Sequence, residues 1–99
     1  MIQGTTPTHI FKLPIDTAEI REVMIIYAQN GAEVLTKYAD DCEFEGNIVR
    51  CTLSQEDTFA FNPRQNVKVQ FRALTENGTA LASAPKVIDV VECLNNEVI

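Results

Sequence analysis

The chain of 99 residues has no tryptophan, one histidine, four glycines, and eight basic residues against fourteen acidic ones. The resulting net charge of −6 argues against nucleic acid or an anionic membrane surface as the partner. A nucleophile activated by an imidazole base would have to use His9, which lies in a predicted strand and is interpreted as an ordinary strand residue. Three of the glycines fall in turns, so no glycine-rich phosphate loop is present.

The three cysteines are an odd number, and neither CxxC nor HxxxH spacing occurs to indicate a zinc site. The first ten residues have neither the charged nor the apolar part of a secretory signal, and the longest apolar run, Val23–Ala28, is far too short to span a membrane. We therefore expect reduced thiols in a cytoplasmic setting, with no membrane contact, cofactor or metal. Cys42 and Cys51 are interpreted as small core residues, with a redox pair as the alternative.

Turn signals and alternation indicate strands. Asn30-Gly31 is the strongest hairpin signal and joins two strands within Glu22–Tyr38. Gly46-Asn47 predicts a second hairpin, in which Glu43 faces Arg50 and Cys42 faces Cys51. Asn66–Leu74 alternates most clearly, with Leu74 pointing outward, and Pro85 predicts a kink in the strand that follows it.

About seven strands with turns every eight to twelve residues predict an all-β fold. The pattern is that of an immunoglobulin-like antiparallel β-sandwich with one or two single-turn helices, which would begin at Asp16 and Ser54. A small open barrel is the alternative. The length predicts a single domain over residues 1–99, with an N-terminal arm at 1–7 and a short tail at 95–99.

The central hairpin also predicts a contact surface. With Asn30-Gly31 as a two-residue loop, one face is apolar and is assigned to the core. The opposite face keeps Met24, Ile26 and Leu35, which is more apolar than a solvated sheet face needs. These three residues are the candidate interface. The predicted core face comprises Val23, Ile25, Tyr27, Val34, Thr36 and Tyr38.

An acidic segment, Asp40 to Glu45, is the one cluster with the composition of a calcium or carboxylate site. Its spacing lacks the EF-hand pattern, and Glu43 and Glu45 should both point to the outer face of a strand. We interpret the segment as a solvated acidic face, and predict neither a catalytic residue nor an enzyme.

The segments MIQGTTPTHIFKLPIDTAEI, YAQNG, LSQEDTFAF and ALASAPKVIDVVECLNNEV carry a family resemblance. In these segments the chain resembles small proteins of about this length encoded by phages and prophages of Gram-positive bacteria. Such proteins look like products of structural gene neighbourhoods, tail or head–tail, and provide no catalytic residue to carry over. The resemblance implies a protein in the cytoplasm of the producing bacterium or associated with the virion.

The leading functional hypothesis is therefore a non-enzymatic β-sandwich that assembles with itself or with other phage structural proteins. Two alternatives stand beside it. One is a ligand-binding module for carbohydrate or another cell-surface component, for which the absence of tryptophan is unfavourable. The other is an enzyme that uses carboxylates of the acidic segment, which would need two carboxyls facing each other in a pocket.

Overall fold

The computed structural model describes all 99 residues. The longest helix has five residues, and none is long and apolar enough to cross a membrane. The strands are β1 (Thr8–Lys12), β2 (Ile20–Gln29), β3 (Ala32–Tyr38), β4 (Cys42–Glu45), β5 (Ile48–Thr52), β6 (Val67–Thr75), β7 (Ala80–Ala82) and β8 (Lys86–Ile88). The helical turns are Thr17–Glu19 and Ala39–Asp41, both 3₁₀, and α1 (Gln55–Phe59).

The strands form two antiparallel sheets. One has the order β1-β5-β4, and the other has the order β3-β2-β6, with β7 and β8 paired in succession along the remaining edge of β6. The two sheets enclose a core of 13 buried apolar residues. The predicted all-β sandwich is confirmed at the level of architecture, with eight strands where about seven were expected.

The additional strand arises where the predicted kink interrupts the edge at Pro85. Between β7 and β8, the Ser83 N–H donates to the Phe71 carbonyl at 2.9 Å, and the Ser83 hydroxyl accepts from the Phe71 N–H at 3.0 Å. Regular pairing stops before Pro85, and the Ser83 hydroxyl provides the acceptor that the Phe71 N–H needs at this edge of β6.

β2 and β6 form the centre of the core. Their residues alternate between buried and partly or fully exposed, as expected for strands that pack on one face only. The ring of the fully buried Tyr27 lies 5.8 Å from that of Phe61, centroid to centroid. Phe61 follows α1 and closes one end of the sandwich.

Both predicted helix starts are present. Ser54 and Asp57 form a reciprocal capping box: the Asp57 N–H donates to the Ser54 hydroxyl at 3.0 Å, and the Ser54 N–H donates to the Asp57 carboxylate at 2.9 Å. The Asp16 carboxylate accepts from the Ala18 N–H at 2.8 Å. The turn at Ala39–Asp41 was not predicted.

The N-terminal arm packs against the end of the sandwich. Ile2 forms a parallel bridge with Val91, and the Gln3 side chain is buried. Its amide donates to the Phe61 carbonyl at 2.8 Å and accepts from the Cys93 N–H at 3.2 Å. The arm therefore joins the chain that follows β8 to the segment that follows α1.

A β-bulge in the central hairpin changes the predicted register. Gln29 pairs with Ala32 as expected, but after Ala28 and Glu33 the ladder resumes with Tyr27 opposite Leu35. Val34 is the additional residue of the bulge. Beyond it, every residue of β3 faces the side opposite to the one predicted.

The bulge corrects the candidate interface at Leu35. This residue lies opposite the buried Tyr27 and packs against the core, so it is not part of the outer face. Val34 and Tyr38, which were assigned to the core, are exposed. Met24 and Ile26 remain on the outer face, because the register between β2 and β6 keeps Ile25 and Tyr27 inside.

Adjacent residues of the bulge provide a matched test. We expect Leu35→Asp to lower the free energy of unfolding by about 2 kcal/mol or more, because it places a charge against the core. Val34→Asp should cost at most about 1 kcal/mol, since its side chain is exposed on an edge strand. Urea unfolding of both variants measures the difference. The reverse order would show that the regular, unbulged register is the true one.

Candidate functional site

The outer face of the five-stranded sheet contains Met24 and Ile26 of the candidate interface. Side chains that share this face come from β2, β3, β6, β7 and β8, and cross-strand pairing arranges them in rows. The rows are Glu22, Leu74 and Ala80; Tyr38, Met24, Arg72 and Ala82; Thr36, Ile26 and Gln70; and Ala28, Lys68 and Val87. Each of these four rows therefore has an apolar residue at or near the middle of the sheet.

Apolar side chains on this face are partly shielded by their neighbours but have no layer above them. Met24, Ile26 and Leu74 are half-buried, and Tyr38 at the β3 edge is 54% exposed. A groove of about 280 Å³ lies between Met24 and β7, and one of about 300 Å³ lies on the other side of Met24, next to Tyr38. The face thus has an apolar stripe with a depression on each side.

The outer face of the three-stranded sheet has a different character. Its central row is Ile10, Arg50 and Glu43, in the register predicted for the second hairpin. Arg50 lies 3.8 Å from a carboxylate oxygen of Glu45, which is 82% exposed. This charged surface has a single large apolar side chain that is well exposed, Ile10. Only one of the two outer faces therefore has the character of a contact surface.

A cleft of about 660 Å³ opens along one side of the sandwich, where β1 and the β7–β8 edge leave the two sheets unjoined. Phe11 and Phe71 form its floor, with ring centroids 5.3 Å apart. Lys12 and Lys86 stand among the lining residues and give this opening a positive rim in an otherwise acidic molecule.

His9 joins the two sheets through the core. Its Nδ1 lies 2.6 Å from the hydroxyl of Tyr27, and the two rings are 5.5 Å apart between centroids. Burial lowers the pKa of His9, because an imidazolium there would lose its hydration. Burial likewise raises the pKa of Tyr27. Both groups are therefore neutral near pH 7, and the hydrogen bond satisfies a hydroxyl that would otherwise be orphaned.

His9 is also the first of three sulfur- or nitrogen-bearing side chains in one row of the three-stranded sheet. Cys51 on β5 pairs with His9 on one side and with Cys42 on the other, and the row faces inward. Both cysteines are free thiols. No group of three or more histidine, cysteine, aspartate or glutamate side chains has an arrangement suited to a metal ion.

Lys37 lies next to this row because the bulge turns it inward. Its ammonium is 2.9 Å from the Asp57 carboxylate, so the ion pair joins edge strand β3 to the start of α1. Burial alone would raise the pKa of Asp57, but hydrogen bonds from Ser54 and Lys37 outweigh it and lower that pKa. The Asp57 charge also raises the pKa of Lys37 against the opposing effect of burial.

The acidic segment is divided among separate structural tasks. The Asp41 carboxylate accepts from the Tyr38 N–H at 2.9 Å and fixes the turn at Ala39–Asp41. Glu43 points to the outer face of β4, opposite Arg50, and Glu45 lies beside the same arginine. These carboxyls do not converge on a common pocket, so the arrangement lacks the facing pair that carboxylate catalysis requires.

Sequence reasoning identified Met24 and Ile26 as outer-face residues but did not predict how the other residues join them. Leu74 was assigned outward but not connected with Met24, because the pairing of β2 with β6 is not a local signal. Tyr38 was placed in the core by the unbulged register. Comparison with protein-family models, curated proteins and solved structures finds no match for the chain.

Titration of His9 should appear in the pH dependence of stability. Its pKa is lowered in the folded state, so between the ordinary value of about 6.5 and the folded value the unfolded chain binds more protons. The free energy of unfolding should therefore fall as pH decreases below about 6.5. Urea unfolding from pH 7.5 to 5.5 measures this slope.

The variant His9→Gln is the control, since it removes the titrating group and keeps a polar side chain facing Tyr27. Its stability should depend less on pH in this window. Asp57 does not interfere, because a lowered carboxyl pKa costs stability only as pH falls below about 4. Equal slopes for the two proteins would contradict burial of a neutral His9.

Proposed function

We propose that the protein is a non-enzymatic structural protein, phage- or prophage-encoded and tail- or virion-associated, that acts by protein–protein assembly. The observation that supports assembly is the outer face of the five-stranded sheet, with its apolar stripe of Met24, Ile26 and Leu74. The phage setting comes from the sequence resemblance alone.

The partner of this surface is a second copy of the chain or another phage structural protein. Arg72 and Lys68 flank the stripe along β6, and Glu22 and Glu33 lie toward its margins on β2 and β3. An apolar centre with charges of both signs around it is the usual composition of a protein–protein contact. Two copies related by a two-fold axis can place the basic residues of one face against the acidic residues of the other.

Self-assembly is tested by sedimentation or light scattering over a wide concentration range. Ile26→Glu should weaken association at least tenfold, because it buries a charge at the centre of the contact. Ile10→Glu is the matched control, since it makes the same change at an exposed isoleucine on the charged outer face. It should leave association unchanged.

Two results would contradict self-assembly through this surface. One is a wild-type chain that stays monomeric at every concentration and whose mass Ile26→Glu does not alter. The other is equal weakening by Ile26→Glu and Ile10→Glu. Circular dichroism of both variants checks that they fold, which Ile26 allows because its side chain lies outside the core.

The second candidate function is ligand binding, and the open cleft beside β1 favours it. Carbohydrate recognition would use the aromatic floor of Phe11 and Phe71 and the two lysines at the rim. A glycan array with the wild-type chain tests this function. Specific binding that Lys12→Glu or Lys86→Glu abolishes would support it, and an array without a saturable signal would contradict it.

A further inference from the structure

Cys42 and Cys51 occupy the position in a β-hairpin where two side chains come closest. The two-residue loop Gly46-Asn47 is closed by Glu45 and Ile48, which form a hydrogen-bonded pair. Pairs alternate in an antiparallel ladder, so Cys42 and Cys51, three pairs further along, are a non-hydrogen-bonded pair. The Cα atoms of such a pair are about 4.5 Å apart, within the range of about 4.4–6.8 Å that disulfides span.

The two thiols differ in access. Cys51 is fully buried, whereas Cys42 lies on the edge strand β4 and is partly exposed. The Cys42 thiol donates to the Tyr38 carbonyl at 3.4 Å, at the open side of the hairpin. A reagent from solution therefore reaches Cys42 first, and Cys51 is placed to attack whatever forms there.

The surroundings shift the pKa values of the two thiols in opposite directions. The adjacent Cys42 thiol lowers the pKa of Cys51, and the nearby Lys37 ammonium acts in the same direction against burial. The neighbouring Cys51 sulfur and burial raise the pKa of Cys42. The thiolate is therefore favoured on Cys51, the sulfur that is placed to attack a mixed disulfide on Cys42.

We propose that Cys42 and Cys51 form a reversible dithiol–disulfide couple that exchanges with small-molecule disulfides of the glutathione type. The Cys42 thiolate attacks one sulfur of oxidised glutathione, which forms a mixed disulfide and releases one glutathione thiolate. The Cys51 thiolate then attacks the Cys42 sulfur and releases the second glutathione. The protein loses two protons and two electrons, and one glutathione disulfide becomes two glutathione thiols.

The disulfide joins the edge strand β4 to β5, in the row that also contains His9. Reduced, this edge is held by four backbone pairs and the turn at Ala39–Asp41. Oxidised, it is closed covalently without a change of register, so oxidation stabilises the folded hairpin. The couple is independent of the outer face of the five-stranded sheet, which lies on the other side of the core.

The test equilibrates the folded Cys93→Ser variant with glutathione buffers of graded ratio, followed by acid quench, alkylation and peptide mass mapping. The Cys42–Cys51 disulfide should form with an equilibrium constant at least tenfold larger than for the same variant in urea. Its melting midpoint should rise by about 5 °C or more on oxidation and return on reduction.

Cys42→Ser and Cys51→Ala, each with Cys93→Ser, are the controls. The Cys42→Ser variant should form no mixed disulfide with glutathione. The Cys51→Ala variant should retain glutathione as a stable mixed disulfide on Cys42. The variant that combines Cys51→Ala with Cys93→Ser retains Cys42. It therefore reports the attack of Cys42 on glutathione disulfide even where its free energy of unfolding is reduced. An adduct that persists on Cys42 while Cys51 is present would overturn the proposal. An equilibrium constant no larger in the folded chain than in urea would overturn it as well.

Discussion

The hydrogen bond between Tyr27 and His9 is the constraint on which the arrangement of the sheets depends. Tyr27 is fully buried on the central strand β2, and a buried hydroxyl must find a partner or cost about 1–3 kcal/mol. The partner is His9 on the opposite sheet, 2.6 Å away. This contact joins the inward face of β2 to β1 of the opposite sheet. His9 in turn pairs with Cys51, which pairs with Cys42, so the contact lies at one end of the row that contains both cysteines.

The bulge at Val34 determines which side chains of the edge strand β3 face the core. Because of the bulge, Leu35 and Lys37 are turned toward the core, and Lys37 reaches Asp57 at the start of α1. The bulge also removes Tyr38 from the core and places it beside Met24 on the outer face. One irregularity therefore supplies both an ion pair across the edge of the sandwich and an aromatic residue at the margin of the proposed contact surface.

The features that depend on residues close together in the sequence were predicted correctly. The two hairpin loops, the helix start at Ser54, the kink at Pro85 and the pairing of Cys42 with Cys51 all depend on neighbouring residues, and the structure has each of them. The bulge was not predictable, because Val34 and Leu35 are both apolar and the alternation fits either register. The Tyr27 contact with His9 was missed because it joins strands in different sheets. Leu74 joins the outer stripe through pairing of β2 with β6, which the pattern of one strand does not reveal.

The chain has two methionines, and one of them lies at the centre of the proposed contact surface. Hydroxyl-radical footprinting of the wild-type chain, in dilute solution and in its associated state, compares Met24 with Met1 in a single experiment. Oxidation of Met24 should slow several-fold on association while that of Met1 stays constant. A chain that associates with no change at Met24 would contradict the assignment of the outer face of the five-stranded sheet as the assembly surface.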